Sequence, residues 1–288
     1  MAPKNRSQGW QYAKLSGHKN EDRIKELLET DRQYTADFLK RIGCDNKKLI
    51  NVSIGGLHET NVESVIQGRR KTKSKTDLRL LYDVGSKTSI SIKKSLGGQV
   101  YLVKAPHFIE CFECQFAELI PKNVKKAINL FWAADEEAVD IIEHYGDRTV
   151  DKEFEMQMHH KSLNAHTLKA YNKSLYEELL QWFIDNADKI TRLAFSAGAV
   201  RCKAEWAEYV WYKNMFNEHM KDNIFLIEDI CKGAAKVSEN ETYYGTKNGG
   251  TTIQLPFGFV QWHQAQLQFH HSFDKVAELV VKAKEKIN

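Results

Sequence analysis

Residues 76–94 read TDLRLLYDVGSKTSISIKK, and this stretch decides the fold because its apolar and polar side chains alternate. Alternation on both sides of Val84-Gly85-Ser86 predicts a β-hairpin with one apolar face. The predicted register places Asp83 opposite Lys87. The apolar face then consists of two cross-strand pairs, Leu78 with Ile92 and Leu80 with Ile90.

The polar face of this predicted hairpin places Asp77 opposite Lys93. A two-residue loop would instead place Asp77 opposite Lys94, but it would break the alternation. A carboxylate can hold a hard divalent cation that also contacts a phosphate group. A lysine can lower the pKa of the attacking water or stabilise charge in the transition state. The pair suits phosphodiester hydrolysis, although an ordinary cross-strand ion pair has the same spacing.

A second acid, Glu21, lies at the start of a predicted helix that begins at Asn20 and ends at Gly43. Helical spacing places Glu21 on one face with Ile24 and Leu28, so its carboxylate could reach a metal near the sheet edge. The alternative is structural. Asn20 could be the N-cap, and an acid in the first turn complements the helix dipole.

These features resemble type II restriction endonucleases of the PD-(D/E)XK superfamily, nearest to the small four-base cutters of the MspI and HinP kind. The matching motifs are Lys19-Asn20-Glu21, Lys75-Thr76-Asp77 and Ser91-Ile92-Lys93-Lys94-Ser95. Three later stretches resemble the C-terminal half of the HinP-type enzymes: Ala204-Glu205-Trp206, Thr252-Ile253-Gln254 and Leu267-Gln268-Phe269.

The resemblance implies a catalytic set and a Mg²⁺ cofactor. The implied catalytic residues are Asp77, Lys93, Glu21 and Ser91, and the implied metal ligands are Asp77, Glu21 and Ile92. Ser91 departs from the family pattern because it stands where the second acid is expected, a position at which this subgroup accepts amides. The family's basic, glycine-rich recognition stretch after the Thr-Ile-Gln element is absent here as well.

Two groups of side chains are predicted to contact DNA. For phosphate contact they are the clustered cations Arg69, Arg70, Lys71, Lys73 and Lys75, together with Lys94. For base or groove contact they are Lys247, Asn248, Gln254, Gln261, His263 and Gln264. A solvated loop and a half-exposed strand are the respective structural alternatives.

The predicted fold class is α/β (α+β), with a mixed central β-sheet flanked by helices and a PD-(D/E)XK nuclease-like core. We expect a single domain with three parts. Residues 15–110 form the catalytic core, residues 111–235 are mainly helical, and residues 236–288 form a β-rich recognition part with a closing helix.

Composition and missing motifs limit the other classes. The chain has five cysteines, no apolar run long enough to span a membrane and no apolar signal-peptide centre, so we expect reduced thiols and a cytoplasmic protein. The net charge of +4 is too small to indicate a partner. The sequence has no P-loop, GxGxxG motif or nucleophile elbow.

The sequence therefore predicts a Mg²⁺-dependent type II site-specific deoxyribonuclease that acts on double-stranded DNA. We expect its functional partner to be a DNA methyltransferase of the same specificity. A repair nickase or resolvase of the same fold and a catalytically inactive DNA-binding module are the alternatives. The sequence leaves the choice between monomer and dimer open.

Overall fold

The computed structural model of the protein describes residues 6–55, 61–132, 134–146, 162–217 and 221–285. For residues 6–16 and for Asn248 the description covers the backbone alone. Within these ranges, no helix is both long and apolar enough to cross a membrane.

The first sheet contains the predicted hairpin. Its strands are β1 (Leu49–Ile54), β4 (Leu78–Tyr82), β5 (Lys87–Lys93), β7 (Tyr209–Tyr212) and β8 (Asn223–Leu226). They lie in the order β1-β4-β5-β7-β8. β5 and β7 run parallel, and the other neighbours are antiparallel. The predicted α/β class with a mixed sheet is confirmed.

The second sheet joins the strand after the hairpin to the C-terminal part of the chain. Its strands are β6 (Gly97–Lys104), β9 (Tyr243–Tyr244), β10 (Thr252–Leu255), β11 (Gly258–Trp262) and β12 (Gln266–Ser272). The order is β6-β12-β11-β10-β9, and every neighbouring pair is antiparallel. A separate ribbon is formed by β2 (Asn61–Glu63) and β3 (Lys71–Lys73).

Helices cover both sheets. They are α1 (Arg6–Thr30), α2 (Arg32–Arg41), α3 (Ala105–Phe116), α4 (Lys122–Phe131), α5 (Ala138–Tyr145), α6 (Ala165–Tyr171), α7 (Lys173–Asp185), α8 (Ala187–Arg192), α9 (Ile227–Glu241) and α10 (Phe273–Lys284). The described part of residues 111–235 is mainly helical, although it also supplies β7 and β8 to the first sheet.

The N-terminal helical region differs from the single predicted helix. α1 already begins at Arg6, and Asp31 separates it from α2. Asp31 has an extended backbone, and its carboxylate accepts the Tyr34 N–H at 3.0 Å, so it caps α2. Gly43, with φ of 67°, follows the end of α2, which agrees with the predicted helix end.

The predicted hairpin register is wrong by two residues. Leu78 faces Ile90 rather than Ile92, and Leu80 faces Thr88. The turn explains the difference, because the Tyr82 N–H donates to the Ser86 carbonyl at 3.0 Å and closes the strands earlier than predicted. Gly85, with φ of 73°, supplies the left-handed residue of this three-residue loop.

A two-residue shift keeps every side chain on its predicted face. The apolar residues of the hairpin are therefore buried as predicted: Leu78, Leu80, Ile90 and Ile92. They pack against the buried residues Ile24, Leu28, Phe38 and Leu39 of α1 and α2. This cluster fixes α1 against the hairpin, and the shift changes which polar residue faces Asp77.

Candidate active site

The polar face of the hairpin joins Asp77, Ser91 and Lys93 in one hydrogen-bonded row. The Ser91 hydroxyl donates to Asp77 Oδ2 at 3.1 Å, and Lys93 Nζ donates to Ser91 Oγ at 2.8 Å. The Ile92 N–H donates to the same Asp77 oxygen at 2.7 Å. Ser91, rather than Lys93, is therefore the direct partner of Asp77.

The staggered ends of β4 and β5 create this row. The Asp77 N–H donates to the Ile90 carbonyl at 2.8 Å, and β5 continues beyond that point to Lys93. The Asp77 carboxylate then takes the place of a backbone partner for the Ile92 N–H. Because the N–H and C=O of one residue in a strand point to the same edge, the Ile92 carbonyl lies on the Asp77 side.

An ordinary ion pair on the same hairpin shows the contrast. Glu205 binds Arg79, and its other oxygen accepts from Lys87 Nζ at 2.9 Å. Both cations of that group contact the carboxylate directly. At the Asp77 end a serine hydroxyl instead separates the acid from the lysine, so the arrangement differs from a simple cross-strand ion pair.

Glu21 of α1 lies near enough to the row for the charges of Asp77 and Lys93 to act on it, and the neighbouring Asn20 anchors α1. Asn20 is 1% exposed. Its Nδ2 donates to the Lys213 carbonyl at 3.1 Å, and its Oδ1 accepts the Met215 N–H at 2.8 Å. These bonds tie α1 to the loop that follows β7, next to the end of β5.

The helix-dipole alternative for Glu21 does not hold. α1 begins at Arg6, so Asn20 lies within the helix and is not an N-cap. The Glu21 side chain is 12% exposed, and its Oε2 lies 3.3 Å from His18 Nδ1. The anchoring bonds of Asn20 could not be predicted from local sequence, because they link residues almost two hundred positions apart.

Burial disfavours the charged form of both acids, and the Asp77 charge adds to this effect at Glu21. Burial raises the pKa of Glu21 to about 8, with Asp77 and Asp22 adding to the rise and Lys93 opposing it. Burial also raises the pKa of Asp77, against the lowering effects of Lys93, the Ile92 N–H and the Ser91 hydroxyl. A divalent cation between the two carboxylates would favour the charged form of both.

The available donors fit Mg²⁺. The carboxylates of Asp77 and Glu21 and the carbonyl of Ile92 are hard oxygen ligands, and Mg²⁺ keeps several waters besides one or two protein carboxylates. In the part of the chain that the structure describes, no group of three or more His, Cys, Asp and Glu side chains could hold a metal ion. A site here would therefore rely on few protein ligands.

Lys75 has different surroundings from the rest of the basic cluster. Its side chain is half-buried, with Nζ 2.7 Å from the Val100 carbonyl and 4.2 Å from the centre of the Tyr101 ring. Burial lowers the pKa of Lys75 to about 7, and Lys93 adds to the lowering. Charge density along the sequence could not distinguish this inward lysine from its neighbours.

The other predicted phosphate-contact residues lie near the β2–β3 ribbon or the end of β5. Arg69, Arg70, Lys71 and Lys73 are exposed. Lys94 is half-buried, and its Nζ lies 5.5 Å from the centre of the Phe216 ring. The ribbon and β6 enclose a cleft of about 550 Å³. Arg69, Lys73, Lys75, Lys104 and His107 line this cleft, and its described lining contains no acidic residue.

The predicted base-contact residues are only partly brought together. Gln254 and Gln261 are half-buried on the face of the second sheet that is not packed against the core. His263 and Gln264 lie in the β11–β12 turn. Lys247 is exposed in a short 3₁₀ helix at Lys247–Gly249, and the side chain of Asn248 lies outside the described residues.

A buried contact between the sheets lies behind the site. Tyr212 of β7, opposite Lys93 in the parallel register, has its hydroxyl 2.9 Å from Nδ1 of His271 in β12. Burial lowers the pKa of His271 to about 3, with further lowering by the Lys93 and His270 charges. His271 is 5% exposed and stays neutral in the folded protein at neutral pH.

We expect His271 to make the protein less stable in mild acid. In the unfolded chain it takes up a proton below about pH 6.5, whereas the folded state resists protonation down to about pH 3. Stability should therefore fall as the pH drops through this window, by roughly 2 kcal/mol at pH 5. Urea unfolding at pH 7 and pH 5 measures the effect.

His271→Gln isolates this contribution, because glutamine can accept a hydrogen bond from Tyr212 but does not titrate. The difference in unfolding free energy between the two pH values should be smaller in His271→Gln than in the wild type. His166→Gln, at an exposed histidine, is the matched control. An identical pH dependence in wild type and His271→Gln would contradict the assignment.

The cysteine prediction is confirmed. Cys44, Cys111, Cys114, Cys202 and Cys231 are all free thiols.

Comparisons with known proteins give a similarity to a solved structure and no match of sequence families. No family model and no curated protein matches the chain. Among solved structures, the chain is similar to the crystal structure of restriction endonuclease MspI in complex with its cognate DNA. The identity is 12% and the TM-score 0.45, over 87% of this chain and 83% of that chain. Similarity at this level establishes neither a family nor an activity.

Proposed function

We propose that this protein is a Mg²⁺-dependent endonuclease that hydrolyses phosphodiester bonds in double-stranded DNA at a short specific sequence, as a type II restriction enzyme does. The observation that carries the proposal is the Asp77–Ser91–Lys93 row with Glu21 beside it. Half-buried acids and a lysine beside the ends of two neighbouring strands are the groups that metal-assisted phosphodiester hydrolysis uses.

Each residue has a distinct role in this proposal. Asp77, Glu21 and the Ile92 carbonyl would hold Mg²⁺, which supplies Lewis-acid stabilisation of the phosphate charge when bound. The Lys93 ammonium, held by the Ser91 hydroxyl, donates a hydrogen bond either to the phosphate oxygens on which negative charge develops or to the attacking water. Ser91 orients Asp77 and Lys93 relative to each other and adds no negative charge.

Ser91 also supports a second candidate, a DNA-binding module without catalytic activity. A neutral residue in place of a second acid weakens the attraction for a divalent cation. The raised pKa of both Asp77 and Glu21 opposes this candidate, because two neighbouring acids that are costly to ionise are more typical of a functional site than of a structural contact.

Digestion of a supercoiled plasmid separates these functions. With Mg²⁺ we expect discrete linear fragments, and chelation of the metal with EDTA should stop the reaction. Nicked circles alone would indicate a repair nickase or resolvase, and a gel shift without strand breaks would indicate a binding module. If the protein neither cleaves the plasmid nor shifts it on a gel, the whole proposal is contradicted.

A methyltransferase of the same specificity is part of the proposal. A site-specific endonuclease in a cell needs its host sites protected, so methylation of the cleaved sequence should block digestion.

The exposed cations should set affinity without setting sequence preference. Neutralising Arg69, Arg70 and Lys71 together is expected to weaken binding to every duplex, because fewer phosphate contacts release fewer counterions from the DNA. Each lost contact should also lower the slope of log K against log salt by about 0.9. Titrations of unrelated duplexes at several salt concentrations measure this slope.

The control variant neutralises three exposed lysines elsewhere in the chain: Lys122 on α4, Lys173 on α7 and Lys232 on α9. It should leave the slope close to the wild-type value. Equal slopes for the wild type and the variant that lacks the Arg69, Arg70 and Lys71 charges would show that DNA does not contact these cations.

A further inference from the structure

Three glutamines form a hydrogen-bonded row across the open face of the second sheet. Gln268 of β12 lies in the middle, and its Nε2 donates to Gln99 Oε1 of β6 at 2.7 Å. Its Oε1 accepts from Gln261 Nε2 of β11 at 2.9 Å. The row crosses three neighbouring strands, and none of its members is fully buried.

The row has a direction that fixes what each end presents. Because Gln268 uses its donor on one side and its acceptor on the other, neither neighbour can reverse its amide without losing a bond. Gln99 is therefore left with its NH₂ group facing away from the row, and Gln261 with its carbonyl oxygen. Gln261 Nε2 also lies 3.4 Å from His270 Nε2, which adds a second restraint at that end.

The donor end of this row lies at the cationic cleft. Gln99 and Gln266 line the cleft together with Arg69, which precedes the ribbon strand β3, and Lys73 of that strand. Cations with no acidic residue among the described lining suit a phosphate backbone. A duplex held there would have its base edges close to the amide row, which is the position needed for hydrogen-bond readout.

The turn that joins β11 and β12 is held in an unfavourable conformation. Gln264 and Ala265 have φ of 50° and 57°, and both are residues that rarely adopt the left-handed region. The turn is closed by paired bonds between His263 and Gln266 at 2.9 and 3.1 Å. Such a turn persists where the surrounding structure demands it, and here it sets the register that places Gln261 opposite Gln268.

We propose that the Gln99–Gln268–Gln261 row is the element that selects the DNA sequence, an inference that rests on the proposed endonuclease function. Gln99 donates to, and Gln261 accepts from, groups on base edges. Gln268 is a positioning residue that contacts no base and fixes the orientation of both neighbours.

The test measures sequence preference directly, because the recognition sequence is unknown. A synthetic duplex library with a randomised central segment is digested with Mg²⁺, and the cleaved ends are sequenced. For Gln268→Leu we expect discrimination to fall roughly tenfold or more at the preferred positions, since both end amides lose their fixed orientation. The thermal midpoint and the salt dependence of binding should remain those of the wild type. A purely structural role of Gln268 would not explain a loss of sequence preference without a loss of stability.

Gln268→Glu sharpens the test, because a carboxylate only accepts. Gln261 can still donate to it, whereas Gln99 must turn its NH₂ group inward and present its oxygen. We expect preference to change at the positions read by Gln99 and to persist at those read by Gln261. Gln181→Leu, an exposed glutamine bonded to Asp185 on α7, is the matched control and should keep the wild-type preference.

The outcomes separate this inference from the proposed function. If the wild type shows a sharp sequence preference and both Gln268 variants keep it, the proposed role of the glutamine row is contradicted and the endonuclease proposal is not affected. A wild-type protein that neither cleaves nor binds the library overturns the proposed function itself. If Gln268→Leu proves unstable, the one-sided change expected for Gln268→Glu decides alone.

Discussion

Asp77→Asn and Lys93→Met are each expected to lower the rate of Mg²⁺-dependent DNA cleavage by roughly a hundredfold to a thousandfold or more. The first removes a carboxylate that would hold the metal, and the second removes the ammonium that would stabilise charge on the phosphate. Ser91 bonds both groups, so each loss also releases the orientation of the other. Single-turnover cleavage rates at saturating protein measure the effect on the chemical step.

Folding should survive the Asp77 change. Burial raises the pKa of Asp77, so a neutral amide is easier to bury than the carboxylate, and its oxygen can still accept the Ile92 N–H. We expect the thermal midpoint of Asp77→Asn to equal or exceed that of the wild type. Loss of cleavage together with retained stability therefore distinguishes a catalytic role from a structural one.

Lys87→Met is the matched control for Lys93→Met. Lys87 lies on the same strand and the same face, but it pairs with Glu205 at the other end of the hairpin. Its loss should cost little more than a partly exposed ion pair, of the order of 1 kcal/mol or less, and should leave the cleavage rate near wild type. Wild-type rates for Asp77→Asn would show that the site has been assigned incorrectly.

The hairpin shows how far sequence pattern reaches. Alternation identified both strands and the correct buried face, since a face is decided by odd or even position. The exact register depended on the turn, which is closed by the bond from the Tyr82 N–H to the Ser86 carbonyl and contains Gly85 in a left-handed conformation. The alternation of apolar and polar residues does not show where that bond forms. Asp77, Ser91 and Lys93 therefore remained together although their predicted pairing was wrong.

Long-range pairing was beyond the reach of the sequence. β6 follows the hairpin directly, yet it pairs with β12 near the C-terminus, and this pairing brings Gln99 beside Gln268. Nothing in the local sequence around Gln99 marks it as a neighbour of the tail. Likewise the inward position of Lys75 depends on Val100 and Tyr101, which lie on β6.

The helix that carries Glu21 was recognised by its apolar spacing, but its start was not. The segment before Asn20 is polar, and polar composition concealed a helix that already begins at Arg6. The start of α1 at Arg6 removes the capping alternative, because Asn20 and the half-buried Glu21 then lie inside the helix. The role of Glu21 can be tested separately from those of Asp77 and Lys93.

Glu21→Gln is expected to raise the Mg²⁺ concentration needed for half-maximal cleavage by at least roughly tenfold, because loss of even an outer partner of a metal ligand lowers affinity ~10–100-fold. The free energy of unfolding should not fall, because burial already raises the pKa of this carboxyl to about 8 and an amide removes the cost of its charge. Cleavage rates across a Mg²⁺ titration, together with urea unfolding, measure the two effects.

Asp22→Asn is the control for Glu21→Gln, since Asp22 is the next residue on α1 and is not buried. Removal of the Asp22 charge should leave the Mg²⁺ requirement near wild type, because Asp22 affects Glu21 only electrostatically and is not proposed to bind the metal. If Glu21→Gln lowers the rate without moving the Mg²⁺ midpoint, Glu21 acts on the DNA or the attacking water rather than on the metal. If neither the rate nor the midpoint changes, Glu21 is no part of the site, and the metal would depend on Asp77 and the Ile92 carbonyl alone. If the Mg²⁺ midpoint shifts and excess Mg²⁺ restores the wild-type cleavage rate, Glu21 is a metal ligand, because only a binding defect is overcome by mass action.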